Sequence, residues 1–187
     1  MIILSNWLEA RAGQTNGPGL KPAVCNRLPN LAAGALTATK PTVAEIVVAR
    51  SVRSFIDTNM LVYAEASDEA AKRHSALELP KRLYEGGNGV ISTQVLQEFC
   101  NVCLKKLKLT AQHVRAQLDY YEQFEIMQIT PAIIRAGLDL HQIRSLAFYD
   151  AIVLANAQTG GCHTLLSEDF NTGENIGGVQ MVNPFLD

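Results

Sequence analysis

From Val52 onward the apolar positions fall into two rhythms, short unbroken runs and longer segments with the spacing of a helix face. "SFID" reads as a buried strand and "NMLVYAEA" as the helix behind it. "DEAAKRHSALEL" is helical up to Pro80, whose ring must kink or stop it. "PKRLYEGG" then adds a turn closed by Gly86 and Gly87. "GVIS" is a second strand, and Ser92 or Thr93 caps the helix "QVLQEFCNVCLKKLK". The last turn of that helix carries Lys105, Lys106 and Lys108, where cations suit the dipole. Thr110 caps "AQHVRAQLDYYEQF", and "EIMQI" is a third strand. Thr130 and Pro131 form an N-cap and first-turn pair opening "AIIRAGLDLHQIR". "FYDAIVLANAQT" is an apolar helix halted by Gly160 and Gly161, and "HTLLS" and "VQMVN" are the last strands. Strands separated by helices of this length imply parallel pairing and right-handed crossovers. The expected fold is a three-layer α/β/α sandwich with a central, mostly parallel sheet.

Residues 1–51 have another texture. "GQTNGPGLKP" and "AAGALTATKP" are rich in Gly, Pro, Thr and Ala without sustained periodicity, which predicts a disordered or weakly ordered extension ahead of a folded domain at 52–187. At 187 residues and 48% apolar the chain can build one core and one site. No apolar run is long enough for a membrane span and no secretory leader pattern opens the sequence, so a cytoplasmic protein is expected.

Cys25, Cys100, Cys103 and Cys162 lack the spacing of a disulfide framework. "CNVC" continues the apolar stripe Val95, Leu96, Phe99, Cys100, Cys103, Leu107, so both cysteines read as core. No second cysteine pair completes a zinc site, and His74, His113, His141 and His163 are scattered. The net charge of −2 divides into +3 over residues 1–51 and −5 over 52–187. A domain that held nucleic acid by its overall field would be basic. Any such role must therefore rest on local basic clusters and bound cations.

The acids carry the candidate chemistry. Asp57 ends the first strand and Asp169 follows the fourth, so in a parallel sheet both open on the same edge, where open α/β folds keep their ligands. Asp57 also suits a turn or a helix cap. Asp150 lies among apolar residues in "FYDAIVLANA", where a carboxylate is costly unless it is paired or bound to metal. Its alternative role is capping, for which Ser145 is better suited. Glu98, between Leu96 and Phe99, begins as an ordinary helix acid and gains interest because its helix starts at the same sheet edge. Glu168 beside Asp169 leaves open which of the two faces the others.

Four acids on one edge repel one another unless cations neutralise them. Hard oxygen donors without a His or Cys set suit Mg²⁺ or Mn²⁺, ions that activate water and stabilise the oxyanions of phosphodiester displacement. A haloacid dehalogenase-like phosphatase also begins with a strand-terminal Asp, but that pattern is Asp-x-Asp and position 59 is Asn. A non-catalytic RNA- or protein-binding module is the other alternative. Lys72, Arg73, Lys81, Arg82, Lys105, Lys106, Lys108 and Arg144 are the basic candidates for an RNA backbone. Arg144 stands out because it lies just before the Asp150 helix.

"FIDTNMLVYA", the Glu of "STQVLQEF", "YDAIVLANA" and "LLSEDFNTG", in this order, make residues from about Val52 to Phe185 resemble the PIN-domain ribonucleases, most closely the VapC-type toxins of toxin–antitoxin pairs. The resemblance implies Asp57, Glu98, Asp150 and Asp169 as a catalytic, metal-binding quartet, with Asn59 and Ser167 as polar supports. It implies cleavage of RNA to 5′-phosphate and 3′-hydroxyl ends, a cognate antitoxin, and a homodimer. The wholly apolar helices also point to a dimer. Residues 1–51 match nothing in that family, and the expectation is an added segment or a misassigned start.

Overall fold

The computed structural model describes residues 52–67 and 70–186; the extension expected over residues 1–51 lies outside them. In chain order the elements are β1 (Ser54–Ile56), α1 (Thr58–Glu65), α2 (Ala70–Glu85), β2 (Gly89–Ser92), α3 (Thr93–Lys105) and α4 (Ala111–Tyr121). β3 (Glu125–Met127), α5 (Pro131–Arg144), α6 (Phe148–Thr159), β4 (Thr164–Leu166), β5 (Asn175–Ile176) and β6 (Val179–Val182) complete them.

Phe55, Ile56, Val90, Ile91, Leu165, Leu166 and Met181 expose no surface. Strands covered on both faces require such runs. The six strands form one sheet in the order β3-β2-β1-β4-β6-β5, with all neighbours parallel except the β5–β6 hairpin. Helices α1 to α4 pack as one set and α5 packs on α6 as another. Right-handed crossovers put the two sets on opposite faces, giving the expected three-layer sandwich. Strand order reverses at β1 and β4, so the crevice that α/β sheets offer to ligands opens at the carboxyl ends of these two strands.

Local signals explain most boundaries. Ser92, rather than Thr93, caps α3 by accepting from Val95 N–H, and Thr110 and Thr130 cap α4 and α5 in the same way. Asp57 leaves the strand and caps α1, accepting from Thr58 N–H at 2.7 Å. The capping alternative for Asp57 is thus realised, without moving the residue from the sheet edge.

One alternative and one expectation fail. Of the kink or stop expected at Pro80 the stop is excluded, because α2 continues from Ala70 to Glu85. Ala76, Leu79, Pro80 and Leu83 form its buried side, and their packing offsets the roughly 3 kcal/mol that an interior proline costs. Ser145 does not cap α6. It closes α5 in the left-handed region at φ 55°, while Ala147 precedes α6 with no side-chain cap. Cys103 is buried and Cys100 half-buried, both free, as core packing predicts.

Helix α6 is buried along Asp150–Ala157 because α5 covers the side that the sheet does not. Gly137 makes that close approach possible: a Cβ there would meet Ile152 Cδ1 at 2.5 Å.

Candidate active site

The site is built from the residues that leave β1 and β4. Ser167, directly after β4, is fully buried and donates its hydroxyl to Asp57 Oδ2 at 2.7 Å. The Asp169 N–H donates to the same Ser167 oxygen at 3.1 Å. Asn59, in the first turn of α1, directs its amide N–H group at three acceptors: Asp169 Oδ2 at 3.0 Å, Ser167 Oγ at 3.2 Å and Asp57 Oδ2 at 3.4 Å. Three acceptors on one side fix the orientation of the amide. Its carbonyl oxygen is left buried without a partner. Both polar supports implied by the resemblance therefore touch the strand-end acids.

Glu98 joins from α3, where its Oε2 accepts from the Thr58 hydroxyl at 3.3 Å. Asp150 enters from the first turn of α6. It is buried and, among the described residues, forms no hydrogen bond with its side chain. What ties it to the others is charge.

Burial, then the Asp169 charge, pushes Asp57 up to about 8, with Glu98 adding; the bonds from Ser167 and Thr58 oppose the rise. Burial and the charges of Asp169 and Glu98 push Asp150 up to about 7. Asp169 rises to about 6, first through desolvation by the walls around it, then through Glu168 and Glu98, against the bond from Asn59. The Asp169 side chain opens to solvent at the rim, which screens its charge, so the negative charge is most suppressed at Asp57. Asp57 and Asp150 are thereby held toward their neutral forms near neutrality, and a cation would favour the ionised ones.

The donors suit a hard divalent cation: carboxylate oxygens, with no His or Cys in the set. Among the described residues no three His, Cys, Asp or Glu side chains already close around one point. The quartet is gathered but open.

Glu168 and Asp169 diverge. Tyr63 donates its hydroxyl to Glu168 Oε1 at 2.6 Å, and Lys72 Nζ lies 2.7 Å from Glu168 Oε2, so Glu168 turns away from the acids while Asp169 faces Asn59. Lys72, an expected RNA contact, is committed to this pair and to the Tyr63 ring, 4.3 Å below it. Arg144 stands exposed in the last turn of α5, and among the described residues no hydrogen bond or ion pair joins it to the acids. Sequence reading missed Thr58, Tyr63 and the true partner of Lys72. Thr58 carried a signal, being a hydroxyl between two polar site residues; the other two carried none.

A model of the PIN domain matches residues 54–172. A search of curated proteins finds no match. Among solved structures, a chain of a toxin–antitoxin complex from Klebsiella pneumoniae is 27% identical with a TM-score of 0.50, over 70% of this chain and 97% of its own. VapC20 of Mycobacterium tuberculosis, a sarcin–ricin loop cleaving toxin, is 17% identical with a TM-score of 0.49, over 60% of this chain and 86% of its own. The matched span runs from the first residue of β1 through the loop after β4, taking in the whole of the site just described, and by that match the chain belongs to the PIN domain family.

Proposed function

We propose that the protein is a metal-dependent endoribonuclease, the toxin of a toxin–antitoxin pair, cutting RNA to leave 5′-phosphate and 3′-hydroxyl ends. The observation that carries this reading is the gathering of Asp57, Glu98, Asp150 and Asp169 at the sheet's switch point, three of them with suppressed ionisation. Bound there, Mg²⁺ or Mn²⁺ would supply water activation and charge neutralisation at the phosphodiester. The four acids would hold the ion. Ser167 and Asn59 would keep Asp57 and Asp169 aimed, and Thr58 would do so for Glu98. Arg144, exposed at the end of α5, is the candidate for the RNA backbone.

An antitoxin partner is supported by the Klebsiella pneumoniae neighbour, whose structure is a toxin–antitoxin complex. A homodimer acting in the cytoplasm completes the proposal. No helix among the described residues is long and apolar enough to cross a membrane.

A second reading, a PIN-fold module that binds RNA or protein without cutting, draws on the open state of the quartet. The phosphatase reading is disfavoured by Asn59, whose amide donates where that chemistry wants an acid. One experiment separates these: incubate pure protein with RNA and Mg²⁺ or Mn²⁺, map the ends, and repeat with chelator and with Asp57→Asn. Cleavage lost in both controls supports the nuclease. RNA left whole by wild type at every metal concentration, with binding retained, favours the non-catalytic module.

A further inference from the structure

Where α3, α6 and the segment after β3 come together, Thr93, Gln94, Gln97, Gln128, Phe148 and Tyr149 surround a cleft of about 610 Å³ over an apolar floor. This size lies within the roughly 300–1,000 Å³ of sites that take small ligands. We propose that the cleft receives one unstacked nucleobase of the RNA, next to the phosphate that is cut, and reads it with glutamine amides. The inference rests on the ribonuclease reading and adds a determinant of sequence preference to it.

Position is the first argument. Gln97 precedes Glu98 on α3 and Tyr149 precedes Asp150 on α6, so these two lining residues have their Cα about 3.8 Å from that of a site acid. Gln94 Nε2 donates to Tyr149 O at 3.4 Å, joining the two helices across the cleft. A nucleotide strand with a phosphate at the acids has its neighbouring base within reach of this opening.

Chemistry is the second argument. Among the described residues no Asp, Glu, Lys, Arg or His lines the cleft. A phosphate or a charged peptide group would find no counter-charge there. A base is neutral, flat, and edged with both donors and acceptors, and a glutamine amide offers both. The side chains of Gln97 and Gln128 are exposed and, among the described residues, form no hydrogen bond within the chain, so both are free to pair. Phe148 and Tyr149 stand edge to face with centroids 5.5 Å apart, and Tyr149 is 47% exposed. An exposed ring beside free amides is the combination by which proteins hold bases of single-stranded RNA.

The test uses the full chain and a randomised single-stranded RNA pool, with cleavage ends sequenced for wild type, Gln97→Leu and Gln128→Leu. Both positions face solvent, and leucine keeps the bulk while removing the amide. Wild type is expected to favour particular nucleotides at one position flanking the cut. Each variant should flatten that position by about tenfold, the worth of one lost hydrogen bond, and leave other positions unchanged. An unaltered profile in both variants, or no preference in wild type, overturns the proposal while leaving the nuclease reading intact.

A second arm needs no cleavage: saturation-transfer NMR with the four free ribonucleosides. Selective binding lost in Gln97→Leu supports the cleft, even in a protein that proves unable to cut RNA. Equal or absent binding of all four overturns it. Light scattering covers the rival occupant. If Tyr149→Arg turns a dimer into a monomer and the nucleotide profile stays as in wild type, a second copy covers the cleft and the proposal falls.

Discussion

Lys72 Nζ lies 2.7 Å from Glu168 Oε2, joining α2 to the loop that follows β4 across 96 positions of sequence. The pair is reinforced by the Tyr63 hydroxyl, which donates to the same carboxylate, and by the Tyr63 and Phe185 rings beneath the ammonium. The pair holds Glu168 outward and so anchors the backbone from which Asp169, the next residue, reaches Asn59.

Removing Lys72 should therefore do more than weaken the fold. The pair is partly exposed, with 30% and 24% of the two side chains accessible, so its stabilisation is about 1 kcal/mol with the ring contact included. Lys72→Met is expected to lower the melting temperature by a few degrees. If RNA is the substrate, cleavage should fall severalfold as Asp169 loses its fixed direction. Melting and cleavage both matching wild type would show that the pair positions nothing.

The metal-free protein should lose stability as pH rises. Free Asp ionises near 3.8, whereas folded Asp57, Asp150 and Asp169 are held at about 8, 7 and 6. Because the folded values are raised, the protonated forms favour folding. Their contribution is complete below the unfolded value and disappears as pH climbs through the folded ones. Melting in chelator is expected to fall between pH 4 and pH 8, and Mg²⁺ or Mn²⁺ should reverse part of the fall. Asp57→Asn keeps an acceptor for Thr58 and Ser167 but cannot ionise, so its profile should be flatter. A wild-type melting temperature that rises steadily across this range contradicts the crowding of acids.

Much of this arrangement was legible beforehand, for physical reasons. A strand buried on both faces must be continuously apolar, and the "GVIS" and "FYDAIVLANAQT" runs give β2 and α6 at their observed bounds. A parallel sheet then brings the ends of β1 and β4 together, which places Asp57 near Asp169 without any contact information. Pro80 left a stop and a kink both open because its cost is local and its compensation is tertiary. The two-residue β5 has too little pattern to be read at all. Glu168 could not be assigned from sequence, since its direction depends on Lys72 and Tyr63, 96 and 105 positions away.

Gly137 is where α5 meets α6. A Cβ at this position would lie 2.5 Å from Ile152 Cδ1 and 3.3 Å from the Ile152 backbone, and a branched side chain cannot be accommodated by moving the isoleucine tip alone. Gly137→Val is expected to cost about 1–3 kcal/mol and to lower the melting temperature by several degrees. Since Asp150 lies on the displaced helix, cleavage should decline more steeply than stability. A variant as stable as wild type would mean that the two helices separate freely.

Deleting residues 1–51 should leave both fold and activity in place. The family match begins at residue 54, and every site residue described lies beyond it. Melting of the shortened chain within a degree or two of wild type, with equal RNA cleavage, is the expected outcome. A loss of several degrees or of cleavage would assign that segment a role in the domain.

Asp150 gives the sharpest test of the site. It sits in the first turn of α6, where a carboxylate gains about 0.3–1 kcal/mol from the helix dipole, yet it caps nothing and accepts no hydrogen bond among the described residues. Burial and the charges of Asp169 and Glu98 act against it and push it to about 7. The dipole alone does not account for an acid in this position; a cation shared with Asp57, Glu98 and Asp169 would. Asp150→Asn keeps the shape and removes the charge. Without metal the variant should melt at or slightly above the wild-type temperature at pH 8, because the repulsion it relieves exceeds the dipole it forgoes. With Mg²⁺ or Mn²⁺ its RNA cleavage should drop by two orders of magnitude or more. A purely structural Asp150 requires the opposite, a lower melting temperature with cleavage intact, and that result would sink the four-acid site.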